Sequence, residues 1–376
     1  MNIAVNTRVL LKNKLEGIGW FAYETLKRIA INHPEHKFFF IFDRPFDKEF
    51  IFSDNITPVV IGPPARHPVL YYYWFEKSIP QILKQINADL FISPDGFLSL
   101  NTDVKSIPVI HDISFMHNPK DFPFGLKNYY HYFFPRFAKK ATRIVTVSDF
   151  SKQDIASQFN IYPENIDVVY NGSNNIYEPT STKEQNETKK EYTNGNDFFI
   201  FVGALSPRKN VANLLAAFEV FKTRTKSNFK LVIVGEKMFK TKRIKSAFNR
   251  MNSKNDVIFT GRLSPKKLKN LYGAALALTF VPYFEGFGIP IIEAMNCDTT
   301  VITSNVTSMP EVAGDAALFV DPHSVNSIAD AMIKIFEDKE LRLELKEKSK
   351  TQRQKFSWDK TAEKFWNSIE KVINEQ

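Results

Sequence analysis

Phe280-Val281-Pro282-Tyr283-Phe284-Glu285-Gly286-Phe287-Gly288-Ile289-Pro290-Ile291-Ile292-Glu293-Ala294-Met295-Asn296-Cys297 is the stretch around which this chain is organised. The apolar run 274–281 leading into it has the length of a buried strand. The run stops at a flexible loop holding Glu285, Gly286, Phe287 and Gly288. Pro290 then suits the first turn of a helix, where its missing N–H costs nothing. Ile291, Ile292 and Ala294 make that helix's buried side. Strand, glycine loop and helix follow one another, and glycines let backbone amides approach a ligand closely. The helix N-terminus adds partial positive charge, so the loop suits phosphate. Two carboxylates bracket it, Glu285 in the loop and Glu293 about one turn into the helix. Both can accept hydrogen bonds from hydroxyls, and together with the loop they fit a nucleotide sugar. The same spacing also suits a structural turn carrying two surface glutamates.

Further out lies Ser304-Asn305-Val306-Thr307-Ser308-Met309-Pro310-Glu311-Val312-Ala313-Gly314. Glu285 and Glu293 with Gly-Phe-Gly-Ile-Pro between them, followed by this block, resemble the signature of retaining GT-B glycosyltransferases of family four, in the mannosyltransferase-like branch. The lead-in Val281-Pro282-Tyr283-Phe284 departs from the Pro-Ser that the family often has there. The resemblance implies a GT-B fold: two Rossmann-like parallel-sheet α/β domains facing an interdomain cleft. It implies that the two glutamates face the donor sugar and the ribose, and that loop amides between them hold donor groups.

Composition sets the outer bounds. A chain of 376 residues suits two domains. Its 43% apolar content is that of a folded soluble protein. One cysteine, Cys297, excludes an intramolecular disulfide framework and agrees with a reducing compartment. Residues 1–11 read as a buried first strand interrupted by Asn2, Asn6 and Arg8, not as a signal peptide. No run approaches the roughly 20 apolar residues of a spanning helix. A formal charge of +9 attracts anions, whether nucleotide phosphates, acidic membrane surfaces or nucleic acid.

The first half alternates strands and helices. Strands are expected at 2–9, 37–42, 56–61, 90–92, 106–110 and 144–147, with helical patterns between several of them, notably to about 31 and over 69–86. Such alternation implies parallel sheets covered by helices. Ligands on them sit beyond the carboxyl ends of the strands. That rule points at Gly17 and Gly19 in a glycine turn, at Ser93, at His111 and at Ser148. The expected division is an acceptor-side domain at 1–175 and a nucleotide-sugar domain at 176–356. A last amphipathic helix in 357–376, running through Glu375, is expected to pack back on the first. The polar segment 180–197 reads as a flexible interdomain insertion. Later strands are expected at 198–202, 230–234, 256–260, 301–303 and 317–320.

Gly203-Ala204-Leu205-Ser206-Pro207-Arg208-Lys209-Asn210 follows a strand. Arg208 and Lys209 there would neutralise a diphosphate and stabilise its charge as a leaving group. Adjacent cations before a helix are also what a solvated surface shows; the resemblance favours the phosphate role. It further implies that Arg262, after Gly261, lies near the nucleobase. It places His111, of the pair His111-Asp112, against the donor sugar, and the Gly17–Gly19 turn over the reacting sugar and phosphate. Between 119 and 143, eight Phe and Tyr residues interleave with six Lys and Arg, and Asp121 is the only acid. Such a segment suits sugar rings, a lipid-diphosphate interface or single-stranded nucleic acid; packing on the sheet accounts for part of it.

The expectation is a hexosyltransferase using GDP-mannose or a UDP-sugar, without a metal or other cofactor. Its acceptor is a glycan or lipid-linked molecule of a surface polysaccharide or glycolipid. It would work in the cytoplasm, with peripheral contact to an acidic membrane face, and without nucleic acid as a partner. A GT-B phosphorylase or epimerase, or a nucleic-acid-binding protein, is the alternative.

Overall fold

A computed structural model describes residues 1–236 and 241–374. They form two compact units: residues 1–172 with the chain from Ser357 onward, and residues 173–356. The first holds β1 (Asn2–Asn6), β2 (Lys37–Phe42), β3 (Ile56–Val60), β4 (Leu90–Ser93) and β5 (Lys105–Pro108), all parallel, in the order β3-β2-β1-β4-β5. A parallel pair, β6 (Ile144–Thr146) and β7 (Ile166–Val168), adjoins this sheet through a bridge from Val109 to Val145. Ile3, Ala4, Val5, Phe91 and Ile92 are fully buried. Helices on both faces explain why these strands read as continuous apolar runs.

Two helices distant in sequence complete that unit. Helix Gly17–Asn32 buries Phe21, Leu26 and Ile29, and helix Trp358–Asn374 buries Phe365, Trp366 and Ile369. They pack together, with Phe21 and Phe365 ring centroids 5.7 Å apart and His33 stacked on Trp366 at 3.5 Å. A Cβ at Gly172 would lie 2.3 Å from the Trp358 backbone nitrogen, so only glycine fits where the chain leaves this unit. The expected helix end at Glu375 lies outside the described residues. Among the described residues no helix is long and apolar enough to cross a membrane.

The second unit is a six-stranded parallel sheet, ordered β10-β9-β8-β11-β12-β13. Its strands are β8 (Phe198–Val202), β9 (Lys230–Val234), β10 (Val257–Gly261), β11 (Ala277–Phe280), β12 (Thr300–Ser304) and β13 (Ala317–Val320). From β8 the chain moves outward through β9 and β10, then returns to lay β11, β12 and β13 on the other side. The strand order therefore reverses between β8 and β11, and in parallel sheets ligands sit beyond the carboxyl ends of the strands at such a reversal.

Two expectations are corrected here. The segment 180–197 is not a flexible insertion: it contains helix Thr182–Thr193. Ser181 and Glu184 close its first turn reciprocally, the Ser181 hydroxyl taking the Glu184 N–H and the Glu184 carboxylate taking the Ser181 N–H. Thr188 and Thr193 are buried, and the helix packs on helix Pro265–Ala274. Mean polarity hid an element stabilised by a capping box and a small buried face. Gly17 and Gly19 likewise do not form a turn; they begin helix Gly17–Asn32. A Cβ on Gly19 would meet the Val9 carbonyl and Leu15 at 3.2 Å. That glycine serves close packing under the preceding loop.

Candidate functional site

The site is built at the reversal between β8 and β11. Gly203 follows β8, and its N–H donates to the Val234 carbonyl at 3.0 Å. Gly235 follows β9 with φ +145°, and a Cβ there would sit 2.0 Å from the Gly203 oxygen. The turn after Gly203 closes at Asn210, in the left-handed region with φ +61°. The Asn210 side-chain amide donates to the Val281 carbonyl at 2.9 Å and the Pro322 carbonyl at 2.7 Å. One buried asparagine thus ties the β8 turn to the chain beyond β11 and β13. The Tyr283 N–H adds a bond to the Arg208 carbonyl at 2.9 Å.

This stitching brings Arg208 and Lys209 against Glu285. Glu285 is 7% exposed, and a single carboxylate oxygen, Oε1, pairs with both cations. Lys209 Nζ lies 2.6 Å away, and the Arg208 guanidinium also donates to the Phe284 carbonyl at 3.2 Å. The ammonium rests 4.8 Å from the Phe280 ring centroid, a cation–π contact. Two cations sharing one carboxylate leave a net positive charge at the end of β8.

Residues 284–288 are all buried, so the loop read as flexible is pinned. Ser308 Oγ donates to the Glu285 carbonyl at 2.9 Å and lies 3.3 Å from the Phe287 carbonyl. Phe287 packs edge-on against Phe356 at 5.5 Å. Gly288 caps helix Ile289–Asn296 with φ +99°, and a Cβ there would strike Met309 at 2.8 Å. Ser308 and Met309 come from the second sequence block, which acts as the floor of the first.

Glu293 has a different environment. Partly buried on helix Ile289–Asn296, it accepts a hydrogen bond from the Tyr272 hydroxyl at 2.9 Å and another from Tyr177. The two tyrosine rings meet edge-on at 5.9 Å. Burial pushes the Glu293 carboxyl up to about 7, against the opposing pull of the two hydroxyls. Burial, with Glu293 adding to it, also pushes the neighbouring Cys297 thiol up to about 12.

The other expected residues stand on different elements. Arg262 is exposed after β10, two strands and about 10 Å from β8 across the sheet. His111 belongs to the first unit, beyond β5, where its Nε2 lies 2.9 Å from the Pro94 carbonyl and its ring meets Phe21 edge-on at 5.1 Å. Burial pushes the imidazole below its ordinary value, toward the neutral form. Because a carbonyl only accepts, Nε2 carries the proton and Nδ1 is the acceptor. At the β1–β4 reversal, Arg8 Nε pairs with Asp95 at 2.6 Å beneath the Phe97 ring, and Asn6 bridges Ser93 and Asp95. Nothing in the sequence reading singled out Arg8 or Asp95 as site residues. It also missed the roles of Asn210, Ser308, Tyr177 and Tyr272. Asn210 and Ser308 stood inside quoted motifs, and that was the available signal.

Parallel α/β units with a basic turn and a pinned glycine loop at a strand reversal define a class of proteins that bind phosphorylated ligands. Residues 182–352 match the family described as Glycosyl transferases group 1, and residues 16–174 match Glycosyltransferase Family 4. The chain belongs to these glycosyltransferases. It is 26% identical to the O-antigen chain mannosyltransferase B of Escherichia coli over 93% of this chain and 94% of that protein. It is 31% identical to the O-antigen chain mannosyltransferase RfbU of Salmonella typhimurium over 70% of this chain and 69% of that one. Among solved structures, WaaG, a glycosyltransferase involved in lipopolysaccharide biosynthesis, superposes with a TM-score of 0.76 at 15% identity, covering 96% of this chain and 98% of that one. These structures share the GT-B fold.

Proposed function

We propose that the protein transfers a hexose, mannose by preference, with retention of anomeric configuration. The donor is a nucleotide-diphosphate sugar and the acceptor a glycan or lipid-linked molecule of a surface polysaccharide or glycolipid. The observation that carries this reading is the convergence of Arg208, Lys209 and Glu285 at the β8–β11 reversal. In it, Arg208 and Lys209 take the diphosphate, with Gly203 leaving room for it. Glu285 hydrogen-bonds a hydroxyl of the transferred sugar, and amides of Gly286, Phe287 and Gly288 hold donor groups. Glu293 accepts from the ribose and Arg262 lies toward the base. Neutral His111 offers Nδ1 to a sugar hydroxyl.

The bond between the anomeric carbon and the diphosphate oxygen breaks as the acceptor oxygen bonds to the same face. The departing phosphate oxygen takes the acceptor's proton, so no protein nucleophile is required. The two cations stabilise the leaving charge where it develops. Likeness to mannosyltransferases supports GDP-mannose; a UDP-hexose is the other donor to test. The reading places it in the cytoplasm, and the charge of +9 suits peripheral contact with an acidic membrane face.

A donor screen by nucleotide release tests the reading, followed by NMR of the product's anomeric centre. GDP-mannose should release GDP fastest, and the product should keep the donor's anomeric configuration. Release from none of the sugar nucleotides, or an inverted product, would overturn it.

A further inference from the structure

Glu293 is held by two phenols that arrive from separate elements. Tyr272 sits on helix Pro265–Ala274 and is fully buried, while Tyr177 comes from the segment before helix Thr182–Thr193 and is 9% exposed. The Tyr272 hydroxyl donates to Glu293 Oε2 at 2.9 Å, and the Tyr177 hydroxyl donates to the same carboxylate. The frame around them is tight. A Cβ on Gly273 would lie 2.1 Å from Thr180 Oγ1, so residues 177–180 are pressed onto the helix that carries Tyr272. Thr299 Oγ1 donates to the Tyr272 carbonyl at 2.6 Å and fixes the end of that helix. Phenylalanine would fill either position equally well. What the two hydroxyls add is a pair of hydrogen bonds converging on one charge.

A carboxylate offers about four lone-pair sites, and the two phenols take two of them. Glu293 is only partly buried, so the others stay open to a ligand. Two adjacent ribose hydroxyls can donate to them, and each such bond favours the ionised form. Burial in the free protein works the other way and pushes the carboxyl up to about 7. Near neutral pH it therefore carries its proton about half the time. The other titratable groups nearby do not offset this. Cys297, on the same helix, is a neutral thiol, its pKa pushed up to about 12. Lys269 is paired with Glu178 at 3.4 Å, and Asp298 with Arg353 at 2.7 Å. Among the described residues the two phenols are thus what holds the charge of Glu293.

We propose, resting on the assignment of Glu293 to the donor's ribose, that Tyr177 and Tyr272 are positioning residues that aim this carboxylate at a vicinal diol, and that donor binding expels to solvent the proton the carboxyl otherwise carries. Donor affinity is then linked to pH. Because the bound form prefers the carboxylate, affinity rises as pH rises through about 7 and levels off above it. Losing one phenol should raise the carboxyl's affinity for its proton roughly tenfold and move this rise to higher pH.

The test is calorimetric titration of the full chain with GDP-mannose and with UDP-glucose from about pH 6 to about pH 8.5. Their esterified diphosphates stay fully ionised across this range, so the ligand's own titration does not enter. The unaltered protein should bind about tenfold more tightly at pH 8 than at pH 6, and should release about half a proton at pH 7 when buffers of different ionisation enthalpy are compared. Tyr272→Phe should bind about fivefold more weakly than the parent at pH 7 and come within about twofold of it at pH 8.5, with kcat at saturating donor within about twofold. Tyr177→Phe should follow the same course. Glu293→Gln should bind at least about tenfold more weakly at pH 8 and lose the pH slope. Proton release by the unaltered protein decides the matter even where a phenylalanine variant folds poorly. Binding that ignores pH, or phenylalanine variants weaker by one factor at every pH, would overturn the proposal while the donor reading stood. Glu293→Gln binding as tightly as the parent at pH 8 would instead remove the ribose contact, and the proposal with it.

Discussion

Glu285→Gln keeps the shape of the side chain and removes its charge, and the outcome should be paradoxical. Lys209 Nζ is 2.6 Å from the carboxylate; at an effective dielectric of about 20 that pair alone attracts by roughly 6 kcal/mol. Desolvation of the three groups returns much of this, and breaking a buried pair typically costs about 3–5 kcal/mol. Both cations keep some contact with water, so about 3 kcal/mol is expected. For a unit of this size 1 kcal/mol moves the midpoint by about 2–4 °C, so the apo variant should melt about 6–12 °C lower. The same change raises the charge at the phosphate position from +1 to +2. One added charge about 5 Å from the phosphate, in a dielectric between protein surface and water, contributes roughly 1.4 kcal/mol, a tenfold gain in affinity. The variant should therefore be less stable, bind the free nucleoside diphosphate about tenfold more tightly, and show a larger ligand-induced rise in Tm. With the full sugar donor its kcat should fall, because the sugar contact is altered. Calorimetric titration with GDP and UDP, beside melts with and without them, reads all of this. An unchanged apo Tm, or weaker diphosphate binding, would refute the ion-pair reasoning.

The Arg208→Ala and Lys209→Ala double variant should lose about 3–6 kcal/mol of diphosphate affinity, two charge-assisted contacts, by the same calorimetry. Glu293 is held near 7 against an ordinary 4.5, so its contribution to stability is fully present below about pH 4.5 and lost as pH rises through about 7. That loss is at most roughly 3 kcal/mol. Tyr272→Phe removes a bond to the carboxylate and should carry the loss to still higher pH in melts run from pH 4 to 9. Gly235→Ala forces a Cβ onto the Gly203 oxygen and should destabilise the second unit by roughly 3 kcal/mol or more, measured by urea titration. Because Arg208 and Lys209 are assigned the diphosphate charge, excess EDTA should leave nucleotide release within about twofold of its untreated rate.

What could be read from the chain, and what could not, divides along contact distance. The strand, loop and helix over 277–296 were legible because each signal is local: an apolar run, two glycines, a proline at a helix start. Helix Thr182–Thr193 was also written locally, in Ser181 and Glu184, but its polar composition outweighed the capping signal. The helical start at Gly17 was missed because paired glycines after a strand suit a turn equally well until the Val9 carbonyl is placed beside Gly19. The pairing of Glu285 with Arg208 spans 77 positions and exists only because β11 lies beside β8. No pattern in either segment encodes that adjacency. The Tyr177–Tyr272–Glu293 cluster is hidden for the same reason, and so is the pinning of the loop by Ser308.

The first unit is interrupted: its sheet lies before Gly172, but its closing helix begins at Trp358. During synthesis the N-terminal sheet leaves the ribosome well before Phe365 and Ile369 exist to cover helix Gly17–Asn32. At roughly 5–20 residues per second, that interval is on the order of ten seconds or more. The second unit is continuous in sequence and can close within the same window. The part begun first is thus finished last, and Phe21, Leu26 and Ile29 are the surface that a holding chaperone would meet on the nascent chain.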